Sequence, residues 1–300
     1  MKRSIWPGLR LGRVLLVVLA AAGSLSAWQP ARAGSFQMFP GRLVFDGRGG
    51  VQTVTVINSE REPVTVTTAL ADYTMTPDGG LANLDAIGQR ADLREIAARV
   101  RSARQALTVA PQRTAVAAQG FHVIRVRADT SALPPGEYRS HLRITSLPVM
   151  DDGVGSSDEV AENQPVTDLK IALTMTMPVI VRIGPRDARA DLIRPRLTFV
   201  DASSAAGGAV EKAPALEIDL VRRGSSSVYG TVEVRSASAG KKDPPLGQIR
   251  GTAVYPEVES RSVTVNLKRA PQSGERLLIS FWDQEKVAKK PLAQVEFQVP

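Results

Sequence analysis

Two histidines and two pairs of adjacent acids are the side chains of this protein that could carry acid–base chemistry. His122 and His141 fall in alternating apolar and arginine-bearing stretches, FHVIRV and YRSHLRIT, with no acid beside them to orient an imidazole. Asp151-Asp152 and Asp158-Glu159 lie in DDGVGSSDEVAENQ (151–164), which holds five acids and little to bury and reads as a mobile surface loop. Carboxylates on such a loop cannot be held in place for proton transfer. There is no cysteine, so a thiol nucleophile, a disulfide scaffold and a thiolate metal site are excluded, and two histidines are too few for a histidine-rich metal cluster. No G-x-S-x-G, HExxH or phosphate-loop motif occurs, and GRGG (47–50) reads as a hairpin turn. The expectation is a protein that is not an enzyme and needs no cofactor and no metal.

The pattern that could do work is one of binding. In LKIALTMTMPVIV (169–181) every odd position is apolar: Leu169, Ile171, Leu173, Met175, Met177, Val179 and Val181. In a strand those seven side chains share one face. Pro178 cannot donate to a ladder, so the strand is expected at a sheet edge or with a bulge there. A long apolar edge strand is a liability unless something covers it. Two readings stay open: the odd face packs inside the protein's own core, or Leu169, Ile171 and Leu173 fill the pockets of a partner that lacks a strand, each worth about 1.5–3 kcal/mol when fully buried.

The elements around that stretch are short and alternating. Residues 51–57, 64–70, 107–116, 121–126 and 138–145 read as strands, as do 196–200, 216–222, 228–235, 262–268, 277–282 and 293–299, separated by Gly, Pro, Asn and Asp. This predicts an all-β protein of two β-sandwich domains. One insertion departs from it: Leu93, Ile96, Val100, Ala103 and Leu107 recur at helical spacing, which predicts a short amphipathic helix over 92–107 with Asp92 as its cap. Ile183-Gly184-Pro185 is the expected corner between an N-terminal domain (34–183) and a C-terminal domain (184–300).

Residues 1–33 have the layout of a secretory signal peptide: a basic start, an apolar run over Val14–Ala22 and the small-x-small site Ala31-Arg32-Ala33. That run is about half of a membrane span, so export with cleavage and no membrane insertion is expected. The segment also explains the net charge of +8. Removing Lys2, Arg3, Arg10, Arg13 and Arg32 leaves 33 basic against 30 acidic residues, a net +3, with no basic excess to recommend nucleic acid as a partner.

Four stretches in this order, behind an export signal, resemble the periplasmic pilus chaperones of the chaperone–usher pathway, in the flavour that serves colonisation-factor fimbriae. FQMFPGRLVF (36–45) is similar to that family's first strand and LTVAPQRTAVAAQGFHVIRV (107–126) to its Pro-bearing segment, turn and Arg-bearing strand. YRSHLRITSLP (138–148) is similar to the strand that follows, and 169–182, beginning Leu-x-Ile-Ala-Leu, to the last strand of the first domain. The resemblance implies two Ig-like domains in an L shape and residence in the periplasm. It further implies a role in holding secreted fimbrial (pilin) subunits by donor-strand complementation and passing them to an outer-membrane usher. It carries the donor role to Leu169, Ile171 and Leu173, with Met175 as an extension. It also implies a cleft that captures the subunit's C-terminal carboxylate. The family's donor-strand lysine falls on Pro178 here, and its first-strand arginine on Arg42 when the following apolar run is aligned or on Phe36 when the aromatic-Pro pair is; Arg42 and Arg182 are the candidate anchors.

The rival reading is an exported Ig-like adhesin or envelope scaffold without chaperone activity, since a fold does not fix a function. Such a module would bury Leu169, Ile171 and Leu173 between its own sheets. A chaperone would leave them on an open edge or shield them by self-association.

Overall fold

The computed structural model describes residues 36–300 except 48, 89, 148–171, 203–210, 241 and 287–288. The signal-peptide segment, the acidic run 151–164, Leu169 and Ile171 lie outside the described residues. In sequence order the strands of the first half are β1 (Phe36–Phe39), β2 (Leu43–Asp46), β3 (Gly50–Asn58), β4 (Val64–Ala71), β5 (Tyr73–Met75) and β6 (Leu81–Asn83). After helix α1 (Ala91–Ala98) come β7 (Leu107–Ala110), β8 (Arg113–Val116), β9 (Phe121–Ala128), β10 (Gly136–Leu147) and β11 (Thr174–Ile183). The second half holds β12 (Ala190–Ala202), β13 (Glu211–Arg222), β14 (Val228–Ser236), β15 (Gly247–Val254), β16 (Ser260–Asn266), β17 (Arg276–Asp283) and β18 (Ala293–Gln298).

These strands build two sandwiches. The first packs a sheet of order β1-β3-β9-β7 against one of order β2-β11-β10-β4-β8, and the second packs β12-β13-β16 against β15-β14-β17-β18. Alternation decides what each strand buries. Val54 and Val56, Ile124 and Val126, Leu142 and Ile144, and Met177, Val179 and Val181 meet in the first core. Leu216, Ile218, Leu220, Val232, Val234, Val263, Val265, Leu277, Ile279 and Phe281 meet in the second. The all-β, two-sandwich architecture is the one the alternating segments predict.

The backbone moves between sheets where proline stops a ladder. The single first strand expected over 36–45 is two, β1 and β2, divided at Pro40 and assigned to opposite sheets; the strand expected over 107–116 divides the same way at Pro111. Gly47–Gly50 is likewise a crossing between sheets rather than a hairpin turn, because β2 and β3 belong to different sheets. A Cβ on Gly49, at φ +79°, would meet the Ala128 carbonyl oxygen at 2.4 Å, so this crossing requires glycine.

The helical insertion is about half its expected length. α1 ends at Ala98 because the segment that follows bonds to β10: Arg139 N–H donates to the Arg101 carbonyl at 2.8 Å, and Ala103 N–H donates to Ser140 Oγ at 3.1 Å. The apolar stripe is therefore shared between two structures. Leu93 is buried on the helix, whereas Ala103 and Leu107 are buried beyond it in the first core. Asp92 does not cap the helix but pairs with Arg90 in its first turn. The helix and the β5–β6 hairpin also reach the second sandwich, and Ile96 packs against its core. Met75 is part of the second core, and Ser262 N–H donates to the Pro77 carbonyl at 3.3 Å in the turn joining β5 and β6.

Candidate partner-binding site

β11 is an interior strand along only half its length. It pairs antiparallel with β10 from Thr174 to Ile183 in unbroken register, so Pro178 makes no bulge. On its other side β2 pairs in parallel, but only from Val179 to Arg182. Among the described residues nothing pairs with 174–178 on that side. The bonds show which way each residue faces. Ser146 N–H donates to the Leu173 carbonyl at 2.9 Å across the β10 side, and Gly47 N–H donates to the Arg182 carbonyl at 2.9 Å across the β2 side. In an antiparallel pair this alternation puts odd residues of β11 on β10 and turns even residues outward. Thr174 and Thr176 thus offer their N–H and C=O groups to the open edge. Pro178, also outward, has no N–H to leave unpaired, and the parallel register that sets Leu43 beside Val179 brings β2 in at its carbonyl.

Burial along the odd face falls off over the same residues. Met177 is 1% exposed and belongs to the first core, Met175 is half-buried, and Leu173 is 41% exposed. Leu173 is nevertheless held in place, with its N–H donating to Ser146 Oγ at 3.0 Å. Of the four expected donor residues the structure therefore puts Leu173 and Met175 where the protein's own core runs out.

Arg42 stands at the end of the open edge. Leu43 is level with Val179, so Arg42 sits at the head of β2, beside Pro178 in register. It lines a cleft of about 430 Å³ together with Val44, Asp46, Arg186, Tyr229 and Glu285. Its guanidinium lies over the Tyr229 ring, 4.3 Å from the centroid, and Nη2 donates to Glu285 Oε1 at 2.5 Å. The side chain is 8% exposed, yet Nε and Nη1 have no hydrogen-bond partner among the described residues.

Arg182, the other candidate anchor, is differently placed. It is buried, and its guanidinium already holds Glu137 at 2.9 and 3.1 Å and Asp46 at 2.9 Å, with Glu285 at 3.3 Å. Burial works against its charge, but Glu137, Glu285 and Asp46 outweigh it and the pKa is raised. Glu137 also accepts from Ser227 N–H of the second sandwich, so Arg182 and Glu137 tie the two sandwiches together.

A second buried pair lies alongside on β10. Arg139 bonds both carboxylate oxygens of Glu257, at 3.0 and 2.6 Å, and stacks over Tyr255 at 3.7 Å. His141 is fully buried, edge-on to Tyr73 with ring centroids 4.8 Å apart, and neither ring nitrogen has a partner among the described residues. Burial and the neighbouring Arg139 charge push its pKa down to about 3. His122 lies on β9, 3.4 Å from Thr114 Oγ1. The two histidines are on different sheets, and among the described residues no acid bonds to either ring.

Sequence reading did not find the other half of the cleft, Arg186, Tyr229 and Glu285, nor Asp283, which holds Arg186. DQEK after the strand 277–282 looks like an ordinary charged turn, and only the tertiary fold brings it to Arg42.

No family model and no curated protein matches the chain. Among solved structures it is similar to the YadV chaperone, at 10% identity over 87% of this chain and 99% of that one, with a TM-score of 0.42. It is similar also to the E. coli chaperone DraB, at 12% identity over 89% and 97% with a TM-score of 0.43. The SafB chaperone complexed with the Salmonella enterica SafA pilin is a third, at 12% identity over 89% and 97% with a TM-score of 0.42.

Proposed function

We propose that this protein is a periplasmic chaperone that completes secreted fimbrial subunits by adding a strand to them and delivers them to an outer-membrane usher. The observation that carries the reading is the half-open strand. Among the described residues no strand pairs with the outward N–H and C=O groups of Thr174 and Thr176, while Met175 and Leu173 emerge progressively from the core on one face. Main-chain bonds along such an edge supply register, and alternate side chains supply specificity. The sequence alternation continues the face to Ile171 and Leu169, which with Leu173 and Met175 make the donor set.

Arg42 sets the direction of the incoming strand. A strand laid along 174–178 must stop where β2 begins, so one of its ends meets Arg42. A cation there favours a C-terminal carboxylate over an N-terminal ammonium, and the incoming strand then runs parallel to β11. Arg182 contributes by fixing the junction at Ile183-Gly184-Pro185 between the N-terminal and C-terminal domains. Export by the signal segment 1–33 places the protein in the compartment where such subunits emerge.

Co-expression with a tagged fimbrial subunit tests this. The subunit should be recovered soluble and in complex only when the chaperone is present. Equal recovery without it would leave the reading without support and favour the adhesin or scaffold alternative.

A further inference from the structure

Three arginines and four acids meet at the cleft, and their pairing is uneven. Arg182 has Glu137 as a two-bond partner, and Arg186 has Asp283, at 2.6 and 3.1 Å. Arg42 has no carboxylate of its own among the described residues. Its partner is Glu285, which it touches through Nη2 alone and which it shares with the other two: Glu285 Oε2 lies 3.3 Å from Arg182 Nη2 and 3.0 Å from Arg186 Nε. A guanidinium is built to grip a carboxylate through two parallel bonds. Here Nε and Nη1 are buried and unused.

We infer that Glu285 is a place-holding carboxylate: it neutralises Arg42 while the cleft is empty and yields Arg42 to the carboxylate of a bound partner. The inference rests on the proposed capture of a subunit's C-terminus at Arg42 and adds how that site is kept before the partner arrives. Two features make the exchange feasible. Without Glu285 the buried Arg42 charge would stand alone, which is costly. Once Glu285 lets go it is not orphaned in turn, because Arg186 and Arg182 already flank its second oxygen. The incoming group gains a fork where Glu285 has a single bond. The ligand class is a carboxylate, and the geometry of the open edge points to the main-chain terminus rather than an acidic side chain.

The test uses the full mature protein and a fluorescein-labelled peptide of alternating valine and threonine, supplied as the free acid and as the C-terminal amide, with binding read by anisotropy. The wild type should prefer the free acid. Glu285→Gln should bind the free acid about tenfold or more tighter with the amide unchanged, as expected for removing a competing charged hydrogen bond. Arg42→Gln should lose the preference. If the acid preference persists but Glu285→Gln binds no tighter, the place-holding role is wrong while the anchor stands. If neither protein tells acid from amide, the anchor fails and this inference falls with it. Should Glu285→Gln fold poorly by circular dichroism, NMR on the wild type decides instead. The Arg42 Nε–Hε signal and the Glu285 carboxyl carbon should both shift with the acid and not with the amide. A shift at Arg42 alone would overturn the proposal.

Discussion

Aspartate placed along the odd face of β11 should separate folding from partner binding within four residues. Met177 is 1% exposed and belongs to the first core. Met177→Asp removes a side chain whose burial is worth about 2 kcal/mol and installs a carboxylate in a dry core, for a total loss of about 5 kcal/mol or more. That is comparable to the whole stability of many domains. Leu173 is 41% exposed, so only about three-fifths of its burial, about 1–2 kcal/mol, is realised in the free protein. Leu173→Asp should therefore lower stability by that smaller amount and leave the protein folded. Against a partner the order reverses, because the remaining surface of Leu173 is what a partner covers. An unpaired carboxylate buried there should weaken capture by about a hundredfold or more. Urea unfolding of each variant gives the first quantity, and recovery of a tagged fimbrial subunit at graded chaperone concentration gives the second. If Leu173→Asp unfolds the free protein as severely as Met177→Asp, the face is ordinary core and strand donation is refuted.

Three further outcomes follow from buried groups. His141 has a folded pKa of about 3 against about 6.5 when unfolded, so the unfolded state binds the proton more readily. Its contribution to stability is complete above pH 6.5 and lost as pH falls from there toward 3, about 2 kcal/mol by pH 5. Denaturant titrations at several pH values should show this, and His141→Leu, which removes two unpartnered nitrogens, should flatten that limb. Glu257→Gln leaves the buried Arg139 charge uncompensated and should cost about 3–5 kcal/mol, while adding Arg139→Met should recover more than half, both read by thermal unfolding. Gly79→Val puts a branched residue at φ +88° with its Cβ 1.9 Å from Arg261 Cζ, and should cost about 1–3 kcal/mol and raise protease cleavage in the β5–β6 turn.

Period-two alternation made most of the strands legible, because each buries one face against a facing sheet. What escaped was set at longer range. β1 and β2 were read as one strand, since the apolar pattern runs through Pro40 and only the two-sheet architecture shows the crossing. The helix was overread because Ala103 and Leu107 keep helical spacing while serving the other core, and because backbone bonds to Arg139 end the helix early. On the site, Pro178 announced an edge, but its extent came from β2, which covers Val179–Arg182 and no more. Arg42 and Arg182 look equivalent as sequence. Arg182 is saturated by Glu137 and Asp46 of its own sandwich, whereas Arg42 meets Glu285 and Tyr229 of the second sandwich, far from it in sequence, and keeps two idle nitrogens.

Residue-resolved hydrogen exchange on β11 tests strand donation most directly. In the free monomer the Thr174 and Thr176 amides should exchange rapidly while those of Met175 and Met177, which face β10, exchange slowly. Addition of a fimbrial subunit should slow the two threonines and leave the two methionines as they were. Slow exchange at Thr174 and Thr176 in the dilute free monomer, or no change at them in the complex, would contradict the account.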